Sequence, residues 1–206
     1  MKELIRRIPG ARRLARVLGI SPANYREFLL RMLPPGGIGM EIGVHLGEFS
    51  AQILEIARPR ELHLVDPWKF EPDETYKDSL YGSRIERGQA ELDERCHAVC
   101  KRFESEVRCG QVKIHRGYSH DVLALFPANS FDWVYIDGNH LYEFAKQDLE
   151  RSFEKTKPGG FITGDDYAEG GWFQGGVKRA VDEFVRTRPV KFVTTRYRQF
   201  VLRKDS

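Results

Sequence analysis

Five acidic residues stand where short apolar runs of this chain stop. The runs are Ile38-Gly39-Met40 before Glu41, Leu62-His63-Leu64-Val65 before Asp66, Phe131 to Ile136 before Asp137, and Phe161-Ile162-Thr163-Gly164 before Asp165-Asp166. Short apolar runs bounded by Gly or Pro read as buried strands. A carboxylate at the end of a buried strand costs free energy unless something pairs with it. The fitting partners are a ribose diol, an ammonium or sulfonium cation, or a metal ion.

The turn after the first run is Glu41-Ile42-Gly43-Val44-His45-Leu46-Gly47. Gly43 would let the backbone approach a ligand, and Gly47 would allow close packing as a helix starts. A dinucleotide fingerprint wants glycine where Glu41 stands, because the turn must face a pyrophosphate. An acid there repels phosphate and suits a cation. Asp66 follows Glu41 by 25 positions, near the spacing of an acid that holds ribose hydroxyls. Together the two acids suit a nucleoside with positive charge, and S-adenosylmethionine has the ammonium, the sulfonium and the diol. Asp137, Asp165 and Asp166 end neighbouring strands and should converge. Three close carboxylates raise one another's pKa unless a cation neutralises them, and Mg2+ with oxygen ligands would do so. The other reading keeps only Asp137 in the pocket, with Asp165 or Asp166 capping a loop. His140, three residues beyond Asp137, has the pKa range of a general base; a histidine bonded to backbone at a helix start fits that place too.

Helical stretches separate the runs, which predicts an α/β, doubly wound, Rossmann-like sheet, mostly parallel, with helices on both faces. Ligands of such sheets lie beyond the carboxyl ends of the strands. Helices are expected from the Ser21-Pro22 cap to about Leu33, and over about 48–57, 141–155 and 176–186. A further strand is expected over 111–115, with Pro158-Gly159-Gly160 turning the chain into the strand before Asp165. Runs 190–195 and 199–202 read as an antiparallel pair at one edge. Residues 1–34 form a basic helical extension and 35–206 the main domain. The insertion at 67–110 is too long for a plain crossover and reads as a lid or an outer helix with its approach loop. Trp68, Tyr76, Tyr167 and Trp172 are candidate pocket walls, and the glycines around Trp172 suggest a flap.

The ordered set resembles the class I S-adenosylmethionine-dependent methyltransferases over roughly residues 35–203. Glu41 to Gly47 looks like that family's first motif, with Glu41, Gly43 and Gly47 at the donor. The resemblance implies a seven-stranded sheet with an antiparallel last strand and places Asp66 on the ribose. It places Gly117-Tyr118-Ser119 at the adenine and Asp137 beside the donor. Asp137 to His140, with Pro158-Gly159-Gly160 and Asp165-Asp166-Tyr167, resembles a narrower group: the metal-dependent small-molecule O-methyltransferases of macrocin and mycinamicin type. That likeness implies Asp137, Asp165 and Asp166 as Mg2+ ligands and His140 or Asp137 as base. The acceptor it implies is a small-molecule hydroxyl, on a sugar or natural-product intermediate.

Composition narrows the alternatives. The chain has 206 residues, is 41% hydrophobic and carries a formal charge of +3, enough for one sizeable core. The first twenty residues hold six basic side chains and one acid, whereas the rest has 27 basic against 29 acidic residues. The basic excess is therefore local, and a nucleic-acid partner, which wants a broad basic face, is not expected. The amphipathic stretch 3–19 would anchor on acidic lipid or pack on the domain or a dimer mate. No apolar stretch approaches the ~20 residues of a membrane span. Cys96, Cys100 and Cys109 are odd in number, which favours reduced thiols and a cytoplasmic location.

Overall fold

A computed structural model describes residues 26–82 and 85–206; the expected turns at 3–19 and the Ser21-Pro22 cap lie outside those residues. The strands are β1 (Ile38–Ile42), β2 (Glu61–Asp66), β3 (Val112–Arg116), β4 (Phe131–Ile136), β5 (Thr156–Gly164), β6 (Val190–Arg196) and β7 (Gln199–Lys204). They form one seven-stranded sheet in the order β3-β2-β1-β4-β5-β7-β6. Pairs from β3 to β5 are parallel. Strand β7 runs antiparallel to both neighbours, so it is the one reversed strand, as expected. The order turns back between β1 and β4, which opens a crevice at their carboxyl ends.

Helices α1 (Glu27–Leu30), α2 (Glu48–Gln52), α3 (Gln89–Arg102), α4 (Glu104–Arg108), α5 (Ser119–Ala124), α6 (Tyr142–Lys155) and α7 (Gly176–Thr187) fill the connections. Alternation along the strands sorts the core into two layers. Leu62, Leu64, Trp133 and Tyr135 join Leu29, Leu30, Phe49 and Ile53 on one face. Met40, Ile42, Val134, Ile136 and Ile162 join Leu149, Val181 and Phe184 on the other. Near-continuous apolar runs are what a sheet covered on both faces requires.

Two local details differ from expectation, in the helix after β1 and at the start of β5. Helix α2 gives way to a π-helical turn over Ile53–Ala57, where a plain helix was predicted. Pro158-Gly159-Gly160 lie inside β5, whose pairing with β4 is irregular between Phe131 and Trp133; the bulge absorbs the proline that would have broken a regular ladder. The insertion holds a short 3-10 turn at Glu74–Tyr76 and then α3 and α4. Among the described residues no helix is long and apolar enough to cross a membrane.

Candidate active site

The register places the acids. Glu41 lies opposite Leu64 on β2 and Tyr135 on β4, and Tyr135 lies opposite Thr163 on β5. Two residues further along each strand, on the same face, come Asp66, Gly43, Asp137 and Asp165. These three aspartates therefore occupy one tier across the rim, with Glu41 one step below it. Gly43 makes the tier possible. Its φ is +90°, and a Cβ there would lie 2.0 Å from the carbonyl oxygen of Asp137. Gly47, at φ +72°, would bring a Cβ to 2.8 Å from the Phe103 ring, the close packing expected at the start of α2.

Asp66 is 1% exposed. Its Oδ2 accepts from the backbone N–H of Val44 and His45 at 2.9 Å and from the Tyr81 hydroxyl at 2.5 Å, and its Oδ1 accepts from the Trp68 N–H at 2.8 Å. Burial raises its pKa, and these hydrogen bonds oppose the rise. The carboxylate thus ties the first turn to the insertion. Trp68 is fully buried and donates its indole N–H to the carbonyl of His45 at 2.9 Å. It is core rather than a pocket wall.

Glu41, also 1% exposed, accepts from the Ser50 hydroxyl at 2.5 Å. Burial, opposed by that hydrogen bond and reinforced by Asp137, pushes its carboxyl up to about 8. The folded pKa lies above the unfolded one, so the stability this group contributes is complete below the unfolded value. It is lost as pH rises through about 8. Asp148 and Asp165, pushed to about 7 and about 6, act in the same sense. Unfolding free energy measured in urea should therefore fall by a few kcal/mol, on the order of what a shift of this size implies, from about pH 5 to about pH 8. Glu41→Gln should flatten that slope; an unchanged slope would show that Glu41 does not titrate in this range.

Around Asp137 the partners are cations of the chain itself. The Arg26 guanidinium lies 3.1 Å from Asp137 Oδ2 and pairs with Asp165. It stacks 4.7 Å from the Phe49 centroid and 5.6 Å from that of Tyr135. His140 sits between two acids, with Nε2 3.3 Å from Asp137 and Nδ1 3.2 Å from Asp166. Burial alone would lower the pKa of His140. Its hydrogen bond to Asp137 and the charges of Asp137, Asp166 and Asp165 outweigh burial and raise it. Arg198 pairs with Asp166 from the β6–β7 turn, where Tyr197 and Arg198 have φ of 53° and 70°. Asp137, His140 and Asp166 offer ligand atoms within 4.8 Å of one another. Asp165, the third aspartate of the expected trio, pairs with Arg26 beside this group.

The remaining candidates are spread along the rim. Gly117 donates its N–H to the Asp66 carbonyl at 3.1 Å. The Tyr118 hydroxyl accepts from Lys69 at 2.9 Å, and Ser119 donates to Asp148. Asp148 is a buried acid on α6, unsignalled by its place in a charged helix. Tyr76 and Trp172 meet at 5.8 Å beside His140, with Phe173 5.2 Å from the imidazole. The Asn139 amide donates to Tyr76 at 2.9 Å. Tyr167 turns away, packing on Phe192 and Phe200 with its hydroxyl on Asp182. Cys96 is buried, Cys100 and Cys109 are exposed, and all are free.

A sheet with one reversed strand, a crevice where its order turns back and acids along the crevice define a Rossmann-like methyltransferase fold. The signature of a family described as a methyltransferase domain matches residues 40–167, from β1 to the loop after β5, and the chain belongs to that family. Solved structures agree in fold. The O-methyltransferase NovP is 21% identical, with a TM-score of 0.63 over 88% of this chain and 80% of its own. An O-methyltransferase from Bacillus cereus, in complex with S-adenosylhomocysteine (SAH), is 16% identical, with a TM-score of 0.58 over 90% and 82%. The N-methyltransferase NodS from Bradyrhizobium japonicum WM9 is 14% identical, with a TM-score of 0.54 over 88% and 95%. No curated protein matches the sequence.

Proposed function

We propose that this domain transfers a methyl group from S-adenosylmethionine to a hydroxyl of a small molecule, with Mg2+ assistance. The observation that carries the reading is the tier of Asp66, Asp137 and Asp165 above Glu41, a row of acids suited to a cationic nucleoside. The family supports methyl transfer, and the Bacillus cereus structure holds the demethylated donor. Asp66 would take the ribose diol, while Glu41 and Asp137 would face the ammonium. Gly117 to Ser119 would border the adenine. The acceptor would lie by His140, against the pair of Tyr76 and Trp172.

A protonated hydroxyl is a poor nucleophile, so a group of the chain must take its proton as the carbon–oxygen bond forms and the carbon–sulfur bond breaks. His140 can do so through a ring nitrogen once its contact with Asp137 or Asp166 loosens. Its raised pKa makes it a stronger base but leaves less of it unprotonated at neutrality. The carboxylate oxygens of Asp137 and Asp166 suit Mg2+, and the nitrogen of His140 is the weaker match for so hard an ion. When bound, Mg2+ would lower the pKa of the acceptor hydroxyl.

One observation favours a second reading, metal-independent transfer: Arg26, His140 and Arg198 already neutralise this acid group. Chelation separates the two. With an acceptor that turns over, EDTA should abolish SAH release and added Mg2+ should restore it. Unchanged turnover in EDTA would leave the metal-independent reading.

A further inference from the structure

We propose that the β6–β7 hairpin is a docking surface for an anionic lipid bilayer, engaged together with the basic amino-terminal stretch. The charges of this chain are segregated. Residues 21–185 hold 20 basic against 28 acidic side chains, whereas 186–204 hold seven basic side chains and no acid. Arg188 and Arg198 are paired with Glu150 and Asp166, and Lys204 is held by the carbonyls of Phe153 and Thr156. Lys191, Arg196 and Arg203 are exposed and have no acid partner among the described residues. The pairing register gathers these three. Lys191 lies opposite Arg203 and Arg196 opposite Gln199, with Thr194 opposite Val201 between them. Paired residues of neighbouring strands share a face, so the three cations line the Val201 side of the hairpin.

Strand β6 is outermost in the sheet, and its hairpin exposes Val193 at 43% and Tyr197 at 68%. Tyr197 stands at the tip between Arg196 and Arg198. Such amphipathic rings settle at the headgroup level of a bilayer while neighbouring cations meet the lipid phosphates. The other basic segment joins the fold at the same place. The Arg196 guanidinium stands 5.5 Å over the Phe28 ring, so residues 1–25 enter the described body beside the hairpin. In sequence, 3–19 intersperses Leu4, Ile5, Ile8, Leu14, Val17 and Leu18 with arginines and has no aromatic residue. Aliphatic side chains among cations suit acyl chains and phosphates. A single-stranded nucleic acid asks instead for aromatic faces on which bases stack. Contacts of single cations with a lipid surface add up, so two basic segments that meet bind more firmly than either alone.

The test is flotation of the full-length protein with vesicles of phosphatidylcholine, alone or mixed with phosphatidylglycerol. Wild-type protein should float with the mixed vesicles and not with phosphatidylcholine alone, and added salt should release it. The double variant Lys191→Gln, Arg203→Gln should lower the partition constant by at least ~10-fold. Tyr197→Asn, which suits the left-handed tip, should lower it at constant charge and leave the salt dependence unchanged. Thermal melts check that each variant folds. Lys191→Gln alone, at an exposed edge position, should cost about fivefold and serves if the double variant does not fold. Wild-type protein that stays with neither vesicle would overturn the proposal. Variants that float as well as wild type would also overturn it, since the hairpin would then take no part. So would binding of a mixed-sequence single-stranded RNA in preference to the vesicles, which would make this face a nucleic-acid surface.

Discussion

Replacing Asp137 by asparagine should lower methyl transfer by roughly 10²- to 10⁴-fold, the scale of losing a positioned acid–base group. The side chain keeps its shape in that variant, and the backbone N–H of Asp137 still donates to the Ile42 carbonyl at 2.7 Å. What is lost is charge at a junction. Arg26 lies 3.1 Å away and His140 3.3 Å away. The largest effect raising the His140 pKa is its hydrogen bond to Asp137, so the imidazole should become a weaker base. A metal would also lose one carboxylate ligand. Release of SAH, with a thermal melt and a ligand titration on the same preparation, separates chemistry from folding. A rate within about twofold of wild type, on that scale, would remove Asp137 from the reaction.

The second large effect is on stability. Asp66→Ala should destabilise the fold by roughly 3 to 5 kcal/mol, because it strips acceptors from the buried N–H groups of Val44 and Trp68, the half-buried N–H of His45 and the Tyr81 hydroxyl at once. Those donors come from the turn after β1 and from the insertion, so both should loosen together. Hydrogen exchange at Val44, His45 and Trp68 should quicken while amides in β4 stay protected. Asp66→Asn should fall between, since one amide oxygen can serve only part of the set. Urea denaturation measures the loss. A change below about 1 kcal/mol would mean that water replaces the carboxylate easily.

The strand ends were legible because apolar content and an abrupt acid coincide there. The runs before Glu41, Asp66 and Asp137 mark their strands to within a residue, and the tail pair at 190–195 and 199–202 foretells the antiparallel edge. Arg26 was not legible. It sits near a basic stretch where any arginine looks solvated, and its partner Asp165 is 139 positions away. No local pattern encodes such a pairing. Trp68 misled because aromatic residues in an insertion resemble pocket walls, whereas the hydrogen bond of Trp68 to His45 belongs to tertiary packing. Asp148 was hidden for the converse reason. An acid in a charged helix gives no sign that its face turns inward to Ser119.

The tip of the last hairpin carries a cost that the chain keeps. Tyr197 and Arg198 hold a left-handed backbone with full side chains, where Asn-Gly would be relaxed. A redesign for heat resistance would start at that tip. Glycine at position 198 would ease the turn and strip Asp166 of its guanidinium. Tolerance to heat and charge balance at the rim thus pull against each other at one residue.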